Sequence, residues 1–483
     1  MAENTPGLRR LDRPVHAGRA GDAEPTDEDA GLRAGRGAGP SGADSAASAG
    51  PVFSLAYVRT RPAAPVPGRP PVVIVPGGPG LASAVPYTAL RAQAAQRGLD
   101  VLMVEHRGVG LSRRMPDGED LPLESMRITA VVDDLRAVLE AEGIGRALVV
   151  GSSYGTYVAQ AFAHAHPELT AGLVLDSPML KAGNGAEEEW ATALLYDGTA
   201  GDDEHRRLAH KVRDLAAEAY GSEKPGELAA LGRAVRIVYE FGGPEVLDAF
   251  LNQRKVGASR LVRRLLAAMG GGDTGTPVPY YMEFDRTGEI AFRELDYGGT
   301  GRRPGTAAVG AEAEGTEATR TAAGDGPASG TESVALAGPR RLFARSEDFA
   351  EVARQFSPFA GEPVDLEAVL PRMRIPVTVL SGDRDLRTPR PVAERITALV
   401  PEGVLVAVPD HGHSALDTHH AALLEALVAG ADGKPGEIGT AEPGEPCRRR
   451  LHCLGSGGGP SAAVGPIIAL TLALDRLLPR ERR

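Results

Sequence analysis

A chain of 483 residues with 42% apolar side chains can bury a large core, yet 61 glycines, 38 prolines and only 4% aromatics imply that part of the length stays outside it. A net charge of −11 argues against a nucleic-acid binder, which carries a basic face. Met1 to Leu11 holds no apolar signal region and no apolar run reaches the roughly 18 residues of a membrane span, so a cytoplasmic protein with no membrane partner is expected.

Residues 1–50 contain no Phe, Tyr, Trp or Ile and one valine, Val15. They are expected to be disordered, since they bury too little to offset the entropy of ordering. From Phe53 the pattern changes. Phe53 to Val58 partly alternates like an edge strand, while Pro71 to Val75 and Val101 to Val104 are short aliphatic runs, as in parallel strands buried on both faces. Tyr87 to Arg97 and Leu123 to Glu142 read as helices between them, the second with an apolar stripe closed by Gly143. Ala147–Val150, a helix over Tyr157–Ala165 and the strand Ala171–Asp176 continue the alternation. Strands alternating with helices predict an α/β fold with a doubly wound, mostly parallel sheet.

After Pro178 the alternation stops. Residues 181–367 carry helical patches at Leu208–Tyr220, Glu227–Tyr239, Glu245–Leu251 and Leu261–Met269, and a segment at 298–342 with no aromatic and no isoleucine is expected to be a disordered excursion. Strands resume at Pro376–Leu380 and Gly403–Val408, and a helix over Leu416–Ala429 ends the regular part. The expected domains are therefore 51–180 and 368–432 as two parts of one core, 181–367 as an inserted helical unit, and 433–483 as a tail with a short helix over Ile467–Leu478. Cys447 and Cys453 are read as two reduced thiols, with a disulfide closing a small tail loop as the alternative. Their number and spacing do not suit zinc, and no metal or cofactor is expected.

Gly151–Ser152–Ser153–Tyr154–Gly155 lies between an apolar strand and a helix. Alone, GxSxG is equally a glycine-rich turn of any α/β protein. As a nucleophile elbow it needs residues without side chains two before and two after the serine, a test that Ser153 passes and Ser152 fails. A serine nucleophile needs a base, and the base needs an acid to orient it. The strand ending at Leu380 runs into Asp383 and Asp385; Asp385 is preferred because it lies beyond the strand end, before Thr388 and Pro389. The strand ending at Val408 runs into His411 and His413; His413 is preferred, behind Gly412. The order Ser153, Asp385, His413 is that of elbow enzymes. Gly77 and Gly78, after the strand ending at Val75, and the amide of Tyr154 are the expected donors to an oxyanion.

With these pieces placed, the chain resembles the α/β-hydrolase family, and within it the proline iminopeptidase and tripeptidyl aminopeptidase branch. The motifs are Gly77–Gly78–Pro79–Gly80, Arg107–Gly108–Val109–Gly110–Leu111–Ser112, Gly151–Ser152–Ser153–Tyr154–Gly155–Thr156–Tyr157, His166–Pro167–Glu168, Gly382–Asp383–Arg384–Asp385 with Thr388–Pro389, and Gly412–His413–Ser414. The resemblance implies that residues 181–367 form a helical cap over the pocket. It also implies an aminopeptidase acting on small peptides, whose free amine is held by cap carboxylates. Glu187, Glu188 and Glu189, or Glu283 and Asp285, are the candidates. A small ester, thioester or lactone is the alternative substrate, and a non-catalytic scaffold the third reading.

Overall fold

The computed structural model describes residues 2–16, 51–183, 185–222, 224, 226–255, 261–262, 264–266, 277–299, 338–344, 349, 352–434, 438 and 463–475. Their core is an eight-stranded sheet: β1 (Leu8–Pro14), β2 (Val52–Thr60), β3 (Val72–Val75), β4 (Val101–Val104), β5 (Ala147–Ser152), β6 (Thr170–Asp176), β7 (Val377–Gly382) and β8 (Gly403–Val408). The spatial order is β1-β2-β4-β3-β5-β6-β7-β8. The two edge pairings β1–β2 and β2–β4 are antiparallel and all the others parallel. Every residue of β3, β4, β5 and β7 is buried, as sheets covered on both faces require.

Helices α1 (Thr88–Gln96), α2 (Ile128–Ala141) and α3 (Tyr154–Ala165) follow the early strands. Leu90 and Ala94 of α1 pack with Leu423 and Leu427 on one face of the sheet, against Ile74, Val150 and Val174. Leu135 of α2 and Val158 and Phe162 of α3 cover the other face, against Val73, Val149 and Leu175. Each such fully buried side chain contributes about 1.5–3 kcal/mol.

Strand β1 corrects the expectation of disorder over residues 1–50. Its seven residues pair with β2, and its cations find acids whose side chains are covered: Arg9 meets Glu142 at 2.5 Å and Arg13 meets Asp134 at 2.9 Å. Ladder hydrogen bonds and ion pairs, with Leu8, Leu11 and the following Val15 packed against apolar clusters, order this charged edge strand. Residues 17–50 lie outside the described residues.

The insertion contains α4 (Ala186–Thr192), α5 (Asp203–Tyr220) and α6 (Glu227–Lys255), the last broken at Gly243 (φ 78°) before Pro244. They share a second hydrophobic core, including Leu208, Val212, Val235 and Phe250. Two parts of the chain read otherwise belong to it. Gly338–Phe343, partly inside the expected excursion, forms a 3₁₀ segment whose Leu342 and Phe343 are buried there; residues 300–337 lie outside the described residues. The C-terminal helix, read as part of a tail, buries Ile468 and Leu472 in the same core. It packs so closely that a Cβ on Gly465 would lie 2.1 Å from the Phe241 carbonyl oxygen. Conversely α7 (Phe284–Arg293), within the insertion by sequence, joins the main core through Phe284, Ile290 and Phe292. Its rings cluster with Phe349 and Phe356. The chain ends its α/β part with α8 (Arg390–Leu399), α9 (Ala415–Thr418) and α10 (His420–Ala431), followed by the C-terminal helix α11 (Val464–Asp475). Cys447 and Cys453 lie outside the described residues. No helix among the described residues is long and apolar enough to cross a membrane.

Candidate active site

Ser153 joins β5 to α3 with φ 51° and ψ −120°, a conformation L side chains rarely adopt. Strand and helix meet so tightly that a Cβ on Gly151 would lie 2.2 Å from the Gly155 carbonyl oxygen. One on Gly155 would lie 2.0 Å from the Val75 carbonyl oxygen. The two glycines are thus a steric requirement of the turn. Ser152 points the other way, buried, with its Oγ 2.8 Å from Asp176 Oδ2.

Opposite the hydroxyl lies the turn after β3. A Cβ on Gly77 would sit 3.1 Å from Ser153 Cβ and 3.7 Å from its Oγ, so only glycine lets this backbone come so near without pushing the serine. Gly77, Gly78 and Ser153 line one cavity. Tyr154 opens α3, so its N–H is among the four with no intrahelical acceptor and sits at the positive end of the helix dipole. The Tyr154 ring is buried away from solvent, its hydroxyl 3.0 Å from His106 Nε2.

The two loops at the carboxyl ends of β7 and β8 meet. His413 Nδ1 lies 3.0 Å from Asp385 Oδ1 and 3.1 Å from Oδ2. Asp385 in turn accepts from the amides of Arg387 and Thr388, both at 2.9 Å, and from the Thr388 hydroxyl at 2.9 Å. Burial disfavours its charge, but the His413 charge and these donors outweigh burial and hold its pKa below the usual carboxylate value. Burial likewise opposes the imidazolium of His413, and the facing Asp385 carboxylate, through charge and hydrogen bond, raises its pKa above the ordinary value. The competing residues go elsewhere. Asp383 pairs with Arg390 at 2.5 Å and is largely exposed. His411 sets its Nε2 2.5 Å from Thr418 Oγ1, and burial pushes its pKa down to about 4.

Ser153 and His413 line the same cavity of about 560 Å³, enclosed between the sheet's carboxyl edge and α6. Of the five carboxylates considered for a substrate amine, Glu187 lines it. Glu188 and Glu189, on the same short helix, are not among its lining residues, and neither are Glu283 and Asp285. Arg113 takes the last two, with Nη1 3.3 Å from Glu283 and Nη2 2.8 Å from Asp285. Glu283 also accepts from the Gly110 amide. Arg113, 170 positions before Glu283 and also paired with Asp120, holds them away from the cavity, a partnership that spacing along the chain does not disclose.

Glu240 was not anticipated. It is 4% exposed, lines the cavity, and accepts from the Leu386 amide at 3.4 Å and from Arg387 Nε at 3.2 Å. Burial raises its pKa. The available signal was a carboxylate set between Ile237–Val238–Tyr239 and Phe241, where a helix face should be apolar. On α6 it shares a face with Arg233, Arg236 and Ile237, which also line the cavity.

A family described as alpha/beta hydrolase fold matches residues 70–420. A proline iminopeptidase of Neisseria meningitidis serogroup A is 36% identical over 105 residues, 22% of this chain and 31% of its own length. One of Neisseria gonorrhoeae is 35% identical over the same length of chain. The matched stretch spans about a third of these relatives. Among solved structures, a proline iminopeptidase of Mycobacterium smegmatis superposes with a TM-score of 0.39 at 16% identity, covering 78% of this chain and 96% of that one. An esterase of Exiguobacterium antarcticum gives 0.36 at 15% identity, covering 79% and 96%.

Proposed function

Because the chain belongs to the α/β-hydrolase fold family, we propose that it is a serine hydrolase, and more narrowly an aminopeptidase that releases N-terminal residues, proline among them, from short peptides. The observation that carries the reading is the Asp385–His413 pair opening on the cavity that also holds the strained Ser153. Ser153 Oγ attacks the scissile carbonyl while His413 takes its proton, and Asp385 holds the imidazole in the tautomer that leaves Nε2 free to accept. The amides of Tyr154 and of Gly77 or Gly78 receive the developing oxyanion. Collapse returns the proton from His413 to the leaving amine, and water then repeats the sequence on the acyl-enzyme.

Two features favour a peptide with a free amine. Glu187 lines the cavity, where a carboxylate accepts from an ammonium group; Glu240 lines it too but already accepts from Arg387 Nε at 3.2 Å, so Glu187 is the amine-binding candidate. The cavity also lies within the few hundred to about 1,000 Å³ typical of small-molecule sites, which suits short peptides rather than folded proteins. The test is a panel of proline and alanine arylamides beside short-chain aryl esters. Arylamide turnover that fails when the substrate amine is acetylated supports the aminopeptidase; ester turnover without any arylamide turnover replaces it with an esterase.

A further inference from the structure

Beneath the site, out of the cavity, lies a buried carboxylate that the mechanism above does not use. Asp176 ends β6 and is 2% exposed. Its Oδ1 accepts from the Ala415 amide at 3.0 Å, and its Oδ2 accepts from the Leu416 amide at 2.9 Å and the Ser152 hydroxyl at 2.8 Å. Ala415 and Leu416 are the first residues of α9, directly after His413 and Ser414. The main-chain carbonyl of the same residue accepts from the Ser153 amide at 2.9 Å. One residue therefore grips the nucleophile turn with its backbone and the histidine loop with its side chain.

The loop it grips is strained. Ser414 has φ 64°, outside the range most side chains favour, and caps the short helix α9. Its amide donates to Ser177 Oγ at 2.9 Å, from the residue after Asp176, which itself has φ 54°. Its hydroxyl lies 2.9 Å from Ser152 Oγ and donates to Asp417 Oδ2 at 2.6 Å, and Asp417 Oδ1 accepts from Tyr87 at 2.6 Å. Each hydroxyl has one proton, that of Ser152 going to Asp176 and that of Ser414 to Asp417, so Asp176 is the group that joins the two segments.

We propose that Asp176 is a positioning residue that sets the separation of Ser153 from His413 by bracing the turn of one against the loop of the other. The proposal rests on the hydrolase reading above. The three donors need an ionised acceptor with both oxygens available. Burial pushes the Asp176 pKa up to about 6, its amide and hydroxyl donors opposing that rise, so the carboxylate is charged at neutral pH. An amide in its place offers one acceptor oxygen and turns an NH₂ group toward a donor, leaving a backbone N–H without a partner. The loop then relaxes, and a misplacement near 1 Å between reacting groups costs about 100-fold in rate.

The test compares wild type with Asp176→Asn, Ser152→Ala and His413→Ala, on whichever arylamide or ester the full-length chain turns over. For Asp176→Asn we expect kcat to fall about 10- to 100-fold, far more than KM rises, because Asp176 itself does not line the cavity and only the His413–Ser414 part of the wall shifts. Fluorophosphonate labelling of Ser153 should slow in parallel, and the low-field proton resonance of the His413–Asp385 hydrogen bond should broaden. Ser152→Ala, which deletes one strut and keeps the amide contacts, should lower kcat about 3- to 10-fold and decides the matter if the Asn variant does not fold. Unchanged kcat and labelling rate in a folded Asp176→Asn variant, or in Ser152→Ala when the first is not obtained, overturns the proposal. Retained activity in His413→Ala overturns the hydrolase reading itself.

Discussion

The backbone of Ser153 offers a direct test, because its strain and its chemistry can be separated. At φ 51° and ψ −120° a residue with a Cβ costs about 1–3 kcal/mol relative to an unstrained one. Ser153→Ala removes the hydroxyl and keeps the Cβ, and so keeps that cost. Ser153→Gly removes both. Glycine carries a penalty of its own, about 0.5–1 kcal/mol against alanine, because it gains more freedom in the unfolded chain. The difference leaves the Gly variant about 0–2.5 kcal/mol more stable than the Ala variant, the reverse of the order at an ordinary helix or strand position. Both variants should be inactive, so stability and catalysis move in opposite directions at one position. Urea unfolding followed by circular dichroism, with both variants measured beside wild type, reads the order. A Ser153→Gly variant less stable than Ser153→Ala by about the ordinary glycine penalty would show that the turn stores no strain.

Two other expectations concern charge. Asp385→Asn removes the carboxylate that raises the His413 pKa, so the acid limb of kcat against pH should move to lower pH, since the base now loses its proton more readily. The rate at the plateau should fall by about 10³–10⁴-fold because the imidazole is no longer held in its useful tautomer; an acid limb that stays put would refute the coupling. Arg107→Met tests the frame rather than the chemistry. Arg107 and Asp134 form a buried two-pronged pair at 2.8 and 2.9 Å, and removing the cation should destabilise by about 3–5 kcal/mol, less whatever Arg13 recovers as the remaining partner of Asp134. A thermal midpoint equal to wild type would contradict it.

What was legible in the residues themselves was the part set by short-range sterics and periodicity. The elbow could be read because a turn this tight excludes side chains at Gly151 and Gly155 whatever surrounds it. The Asp385–His413 pair could be picked out because each strand end, at Leu380 and Val408, carried only two candidates. Strand β1 was hidden because much of its order comes from partners far along the chain, the β2 ladder and the acids Glu142 and Asp134, while its own apolar content is two leucines. Glu283 and Asp285 misled for the same reason, since Arg113 reaches them from a distant loop. The cap's extent was blurred because α7 turns its phenylalanines into the main core while α11, far along the chain, returns to cover α6. Which carboxylate faces the cavity depends on how α6 is rolled, and that is set by packing, so the sequence marked Glu240 as out of place on an apolar face without showing what it lines.

The central claim is that Ser153 is a nucleophile activated by His413. Treating the protein with a fluorophosphonate and mapping the adduct by mass spectrometry tests it most directly. We expect a single adduct on the Ser153 hydroxyl, forming at least 100-fold more slowly in His413→Ala. An adduct on Ser152 instead, or labelling of Ser153 at an undiminished rate without the imidazole, would contradict it.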